Sequence, residues 1–150
     1  GAPASIKLPE LISLSDHDDF GVKHFSGVAT YARKFTAPSA INHKPSTILL
    51  DLGAVESLAR VKLNGIDCGT PWTPPYRVDI TDAIKEGENT LEIEVANTWK
   101  NRLIADSGLP EEERVTWTVW RDGQWFNPEK SKLEPAGLMG PVAILVEEGE

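Results

Sequence analysis

Ala59-Arg60-Val61-Lys62-Leu63-Asn64-Gly65-Ile66-Asp67-Cys68-Gly69 is the stretch that decides the fold class. Ala59, Val61 and Leu63 share one parity, and Arg60 and Lys62 the other. That is the period-2 alternation of a strand with one face buried and one face in water. Asn64-Gly65 follows at once, and this pair accepts the positive φ angles that a two-residue hairpin turn requires. Ile66 to Gly69 then reads as the return strand.

The same pattern repeats outward in both directions. Upstream, Phe25, Ala29, Tyr31, Arg33 and Phe35 hold one parity against Ser26, Thr30 and Lys34, and Thr47 to Leu52 is a more continuously apolar strand. Downstream, Tyr76, Val78 and Ile80 alternate with Arg77 and Asp79, and Leu91, Ile93 and Val95 with Glu92 and Glu94. Val115, Trp117 and Val119 alternate with Thr116 and Thr118, and Val142, Ile144 and Val146 form a closing strand. Between two of these strands, Thr81 to Gly87 reads as one short helical turn. Thr81 or Asp82 is placed to cap its start, and Gly87 suits a left-handed exit. Many short strands punctuated by 12 Gly and 11 Pro predict an all-β sandwich or barrel. Residues 97–114 and 121–140 carry no strand pattern, and long connections on such scaffolds are where function concentrates.

Length and charge bound the rest. A chain of 150 residues makes one domain, expected over 1–150, and buries about 68% of its unfolded surface, enough for a core without covalent staples. Lys plus Arg total 15 against 23 Asp plus Glu, a net charge of −8. A duplex-binding surface needs a basic footprint, so neither nucleic acid nor anionic membrane is expected as a partner. No apolar run approaches the roughly 18 residues of a spanning helix. Cys68 is the sole cysteine, which leaves no intramolecular disulfide and no cysteine zinc cage. No cationic and apolar leader pattern opens the chain, so no signal peptide is expected within these residues.

Five tryptophans stand out for where they fall. Trp72 precedes Thr73-Pro74-Pro75-Tyr76, a rigid loop entering a strand, and Trp99 lies just past the Leu91–Val95 strand, followed by Asn101, Arg102 and Asp106. Trp117 and Trp120 have opposite parity, so they face opposite sides of one strand. Trp117 shares the parity of Val115 and Val119 and is expected in the core. An indole covers the apolar face of a pyranose while Asn, Arg and Asp bond its hydroxyls. The candidate carbohydrate site is therefore Trp72, Tyr76, Trp99, Asn101, Arg102, Asp106 and Trp120. The competing reading is structural, with Trp72 plugging one end of the sandwich and Arg102 pairing with Asp106 to pin a loop. Asp16-His17-Asp18-Asp19 has the oxygens of a hard-cation cluster, but calcium takes about six to eight oxygens in defined directions, and the segment reads as a solvated acidic loop. No cofactor or metal is expected, a structural calcium being the one alternative left open. No catalytic residue is expected either. Glycoside hydrolysis needs two carboxyls roughly 5 to 10 Å apart in a cleft, and no pair among the 23 acids is marked out by its neighbours.

The order of these pieces resembles a known family. Phe25-Ser26-Gly27-Val28-Ala29-Thr30-Tyr31, Leu50-Asp51-Leu52-Gly53, Ala59 to Gly65, Trp72 to Asp82 and Gly87-Glu88-Asn89-Thr90-Leu91 are similar to the signature of the jelly-roll, galactose-binding-like domains attached to glycoside hydrolases. Asn97 to Asp106 and Ala136-Gly137-Leu138-Met139-Gly140-Pro141-Val142 extend the likeness, which covers about residues 20–146. It looks most like the carboxy-terminal module of family 106-type α-L-rhamnosidases, and also like the family 2 sugar-binding domain. The resemblance implies a jelly-roll β-sandwich excised from a larger, secreted or periplasmic glycoside hydrolase. It further implies a non-catalytic, carbohydrate-binding or accessory module whose partners are a plant or microbial glycan and the parent's catalytic domain. Packing on that domain without sugar, and lending a loop to its active site, are the alternatives. The (β/α)-barrel that carries the acid and base in such enzymes has no counterpart in these residues, so hydrolysis is not carried over.

Overall fold

The computed structural model describes residues 1–39, 46–117, 127 and 130–148. Nine strands are present among the described residues. They are β1 Gly27–Ala37, β2 Ser46–Asp51, β3 Ala54–Val55, β4 Leu58–Leu63, β5 Ile66–Gly69, β6 Arg77–Asp79, β7 Gly87–Asn97, β8 Leu138–Gly140 and β9 Ala143–Glu148. They form a four-stranded sheet in the order β1-β7-β4-β5, a three-stranded sheet β6-β2-β9 and a small pair β3-β8. The strand pairs are all antiparallel.

Alternation explains how the layers meet. Ala59, Val61 and Leu63 of β4 stand opposite Val95, Ile93 and Leu91 of β7. These six side chains pack against Ile48 and Leu50 of β2 and Val78 of β6 in one buried cluster. Each large apolar side chain so buried contributes about 1.5–3 kcal/mol, and a slip of one residue would turn the whole row into water. The opposite face of β4 and β7 carries ion pairs instead: Lys34–Glu88 at 3.1 Å, Lys62–Glu94 at 3.2 Å and Arg60–Asp67 at 2.6 Å. Such exposed pairs contribute under about 1 kcal/mol each, and they mark this as the solvent side.

The expected hairpin is present, with φ of 54° at Asn64 and 80° at Gly65. Asn64 does more than turn the chain. Its amide donates to the Ala83 carbonyl and to Asn89 Oδ1, both at 2.8 Å, while its own oxygen accepts the Thr90 N–H at 3.0 Å. Asn89 is fully buried and donates to the carbonyls of Lys85 and Gly87 at 2.7 and 2.9 Å. The L-N-G and G-x-N-x-L pieces of the sequence thus meet as one polar network that closes this end of the sandwich.

Gly53 crosses the backbone at Gly140. With φ of 63°, a Cβ there would lie 2.4 Å from the Gly140 carbonyl carbon, so no side chain fits. Asp51, just before it, accepts the Gly53 N–H at 2.9 Å and pairs with Arg77 at 2.7 Å.

Thr81 to Gly87 holds the single turn expected, with the N–H groups of Ala83 and Ile84 donating to the Ile80 carbonyl and the chain leaving through Gly87 at φ of 81°. The helices fall elsewhere, as α1 Phe20–Lys23, capped by the Asp19 carboxylate, and α2 Lys100–Ser107. Residues 115–117 are not in a strand, and Thr118 and Val119 lie outside the described residues. Residues 2–11 run over the opening between β1 and β9, where they line an apolar groove with Phe25, Tyr31, Phe35 and Ile144.

Candidate functional site

The end of the sandwich opposite the Asn64–Asn89 network gathers the irregular segments. Ala59 pairs with Val95, and its N–H donates to the Pro71 carbonyl at 3.1 Å. This puts Trp72 at the same end of the sheet as Trp99, but across β4 from β7, whose last residue Asn97 lies two residues before Trp99. Both indoles stand in water, Trp72 at 74% exposure and Trp99 at 64%. Neither plugs the core. Tyr76 is half-buried against the core, and its hydroxyl donates to the Ser57 carbonyl at 3.3 Å, which ties the Trp72 loop to the start of β4.

The polar candidates sit on α2 and point inward. Asn101 is only 4% exposed and grips the Glu134 backbone from both sides, donating to its carbonyl at 2.8 Å and accepting its N–H at 2.9 Å. Lys100 pairs with the Glu134 carboxylate. Asp106 is 2% exposed. Its Oδ2 accepts the N–H groups of Val115 and Thr116 at 3.1 and 2.7 Å and the Thr116 hydroxyl at 2.5 Å, while Oδ1 takes the guanidinium of Arg102. Burial alone would raise the Asp106 pKa, but the bonds from Thr116 and Arg102 outweigh it and hold the carboxyl below its usual range. An ionised carboxylate bonded on both oxygens is a poor proton donor, so Asp106 is not placed for acid catalysis.

The candidate residues therefore divide. Trp72 and Trp99 share one exposed end, whereas Asn101 and Asp106 are interior clamps with no free edge for a sugar hydroxyl. Arg102 pairs with Asp106, in line with the loop-pinning reading. Trp120 lies outside the described residues, as does Trp125. One aromatic went the other way from expectation: Trp117, read as core from its parity, is 71% exposed. The reason is that Asp106 takes the backbone of the two residues before it and holds it off the sheet. Helix α2 thus fastens residues 115–116 with Asp106 and residue 134 with Asn101. It escaped the sequence reading because its buried face is largely polar.

Asp16-His17-Asp18-Asp19 serves local structure. Asp19 Oδ1 caps α1 at the Val22 N–H, and the Asp19 N–H donates to His17 Nδ1, both at 3.0 Å.

Comparison with known proteins agrees with this architecture. A family model described as glycosyl hydrolase 2 galactose-binding domain-like matches residues 16–127. A rhamnosidase from Novosphingobium sp. PP1Y shares 47% identity and a TM-score of 0.86 over 99% of this chain and 13% of that one. A beta-glucuronidase from Lactobacillus rhamnosus shares 29% identity and a TM-score of 0.54 over 64% of this chain and 17% of that one. A Formosa agariphila protein named as a candidate beta-glucuronidase is 35% identical over 94% of this chain and 14% of its own length. The chain thus spans about one-seventh of its relatives. It belongs to the glycosyl hydrolase 2 galactose-binding domain-like family, the accessory β-sandwich of glycoside hydrolases.

Proposed function

We propose that this chain is a non-catalytic accessory module of a glycoside hydrolase, and that it contacts carbohydrate through the indoles at its α2 end. The observation that carries this reading is the pair of exposed rings at one end of the sandwich, Trp72 on a loop tied down by the Tyr76 hydroxyl and Trp99 at the start of α2. An aromatic face in that setting suits the C–H face of a sugar ring and is held at little conformational cost on binding. The relatives named as rhamnosidase and beta-glucuronidase support a parent acting on glycans with rhamnose or uronic acid as the sugar class.

A second reading is packing against the parent's catalytic domain, and it has its own support. Val115, two residues before the exposed Trp117, is itself 72% exposed, and an aliphatic and indole pair of this kind suits a protein partner.

Calorimetric titration of the 150-residue chain against rhamnose-, galactose- and galacturonate-containing oligosaccharides separates the two. Sugar contact predicts saturable binding. Trp72→Ala and Trp99→Ala should each weaken it by about 1–3 kcal/mol, on the scale of aromatic stacking with nucleobases. Heat-silent titrations with every oligosaccharide would favour packing.

A further inference from the structure

Asp106 is an unusual expense of polar chemistry for a short surface loop. Both its oxygens are engaged, three of the four bonds go to Val115 and Thr116, and the whole group is buried under the last turn of α2. Charge-assisted bonds to backbone N–H groups are among the stronger ones in a protein, so residues 115–116 are fixed to the helix. The next residue gains no burial from this. Trp117 extends into water from a backbone that has been made rigid, the arrangement expected of a recognition surface built on a supporting layer of hydrogen bonds.

The helix also sets a spacing. Trp99 immediately precedes α2 and Asp106 lies in its last turn. Seven residues at about 1.5 Å each separate them by about 10 Å along the axis, farther than a single pyranose ring reaches. From this we infer that Trp117 is a third contact residue of the site proposed above, that Asp106 is its positioning residue, and that the ligand is a glycan chain of two or more sugar units rather than one sugar. The inference rests on the carbohydrate reading of Trp72 and Trp99. Asn101 and Asp106 offer no free polar edge, so recognition through the rings held at the two ends of α2, Trp99 and Trp117, suits successive sugars better than one sugar ringed by hydrogen bonds.

The test pairs ligand length with local exchange. The chain and its Trp117→Ala and Asp106→Asn variants are titrated with rhamnose, galactose and galacturonate, and with hexasaccharides containing each. Amide hydrogen exchange is followed on the free proteins. The expected result is hexasaccharide affinity at least tenfold above that of the matching monosaccharide, with Trp117→Ala and Asp106→Asn each shrinking that ratio toward one. Asp106→Asn should also speed exchange at Val115 and Thr116 at least tenfold while the amides of β4 and β7 keep their protection. Affinity independent of length, or hexasaccharide binding untouched by Trp117→Ala, overturns the inference and leaves the carbohydrate reading standing. No binding to any sugar overturns both. Unchanged exchange at Val115 and Thr116 in Asp106→Asn, or equal loss across β4 and β7, overturns the positioning role. Trp117→Ala removes a ring that is mostly in water, so it keeps the length test valid even if Asp106→Asn unfolds.

Discussion

Asn101 and Trp99 are two residues apart and have opposite relations to the fold. The Asn101 amide is buried and makes both of its hydrogen bonds to the backbone of Glu134. Truncation would leave that N–H and carbonyl unpaired in the interior, where each unsatisfied group costs about 1–3 kcal/mol. Asn101→Ala should therefore lose about 2–4 kcal/mol of stability in urea unfolding. Trp99→Ala should lose less than about 1 kcal/mol, since a Trp costs 3–5 kcal/mol only when it is buried. A Trp99→Ala variant as unstable as Asn101→Ala would mean that the ring is part of the core and not of a site. In the sequence this contrast is only half legible. An Asn, an Arg and an Asp after a strand look equally suited to a ligand and to a clamp, because sequence gives their chemistry but not their direction. Trp117 shows the same gap: its parity with Val115 is real, yet alternation says only that two residues share a side, not that anything covers it.

At the level of elements, what could be read followed from hydrophobic periodicity. β4 and β7 alternate cleanly, and the Asn64-Gly65 pair marks the turn because few other residues accept its backbone angles. Helix α2 could not be read that way. Its buried positions are Asn101, Ala105 and Asp106, one helical face by spacing but not an apolar one, and no side chain caps its start. The turn at 81–87 stops after a single turn for the converse reason. It has the capping residues of a helix, but its carbonyls at Ala83, Lys85 and Gly87 go to Asn64 and Asn89 side chains instead of to a following turn. Those two asparagines join β4, β7 and the turn between β6 and β7, so their loss should act on the whole end of the sandwich. Asn89→Ala removes a fully buried amide with four hydrogen bonds, and about 2–4 kcal/mol of destabilisation is expected. Asn89→Asp keeps the shape but places a carboxylate where two carbonyls require a donor, so it should be no more stable. A urea midpoint for Asn89→Ala within experimental scatter of the parent would refute a structural role for this motif.

For the molecule as a whole, the fixed charges set the pH range in which the sandwich is stable. Asp51, Asp79 and Asp106 all have carboxyls held below the ordinary value. Asp51 is lowered by the Gly53 N–H and Arg77, and Asp79 by the hydroxyl and N–H of Thr81. Asp106 is lowered by Thr116 and Arg102 against the opposing effect of burial. A carboxyl depressed on folding stabilises the native state fully above its unfolded value, about 3.9 for Asp. That stabilisation drains away as pH falls through the folded value, because the unfolded chain then binds more protons. The net charge of −8 acts in the other sense, since acid first relieves self-repulsion. From neutrality down to about pH 5 the two tendencies leave stability nearly level, and below about pH 4 the carboxyl contribution is lost. Tyr31 bounds the alkaline side. Burial raises its pKa, opposed by the Leu138 N–H that donates to its hydroxyl oxygen at 3.1 Å. A phenol raised on folding stabilises the fold below its unfolded value near 10, and that contribution is lost as pH climbs through the folded value. Urea midpoints measured from pH 3 to 11 should therefore form a plateau with a fall at each side. In Asp106→Asn the acid fall should be shallower, because one of the depressed carboxyls is gone, while the alkaline fall should be unchanged. In Tyr31→Phe the alkaline fall should soften and the acid fall stay. An acid limb as steep in Asp106→Asn as in the parent would show that the carboxylate under α2 contributes nothing to acid stability, and that its bonds to Val115 and Thr116 do not survive in solution.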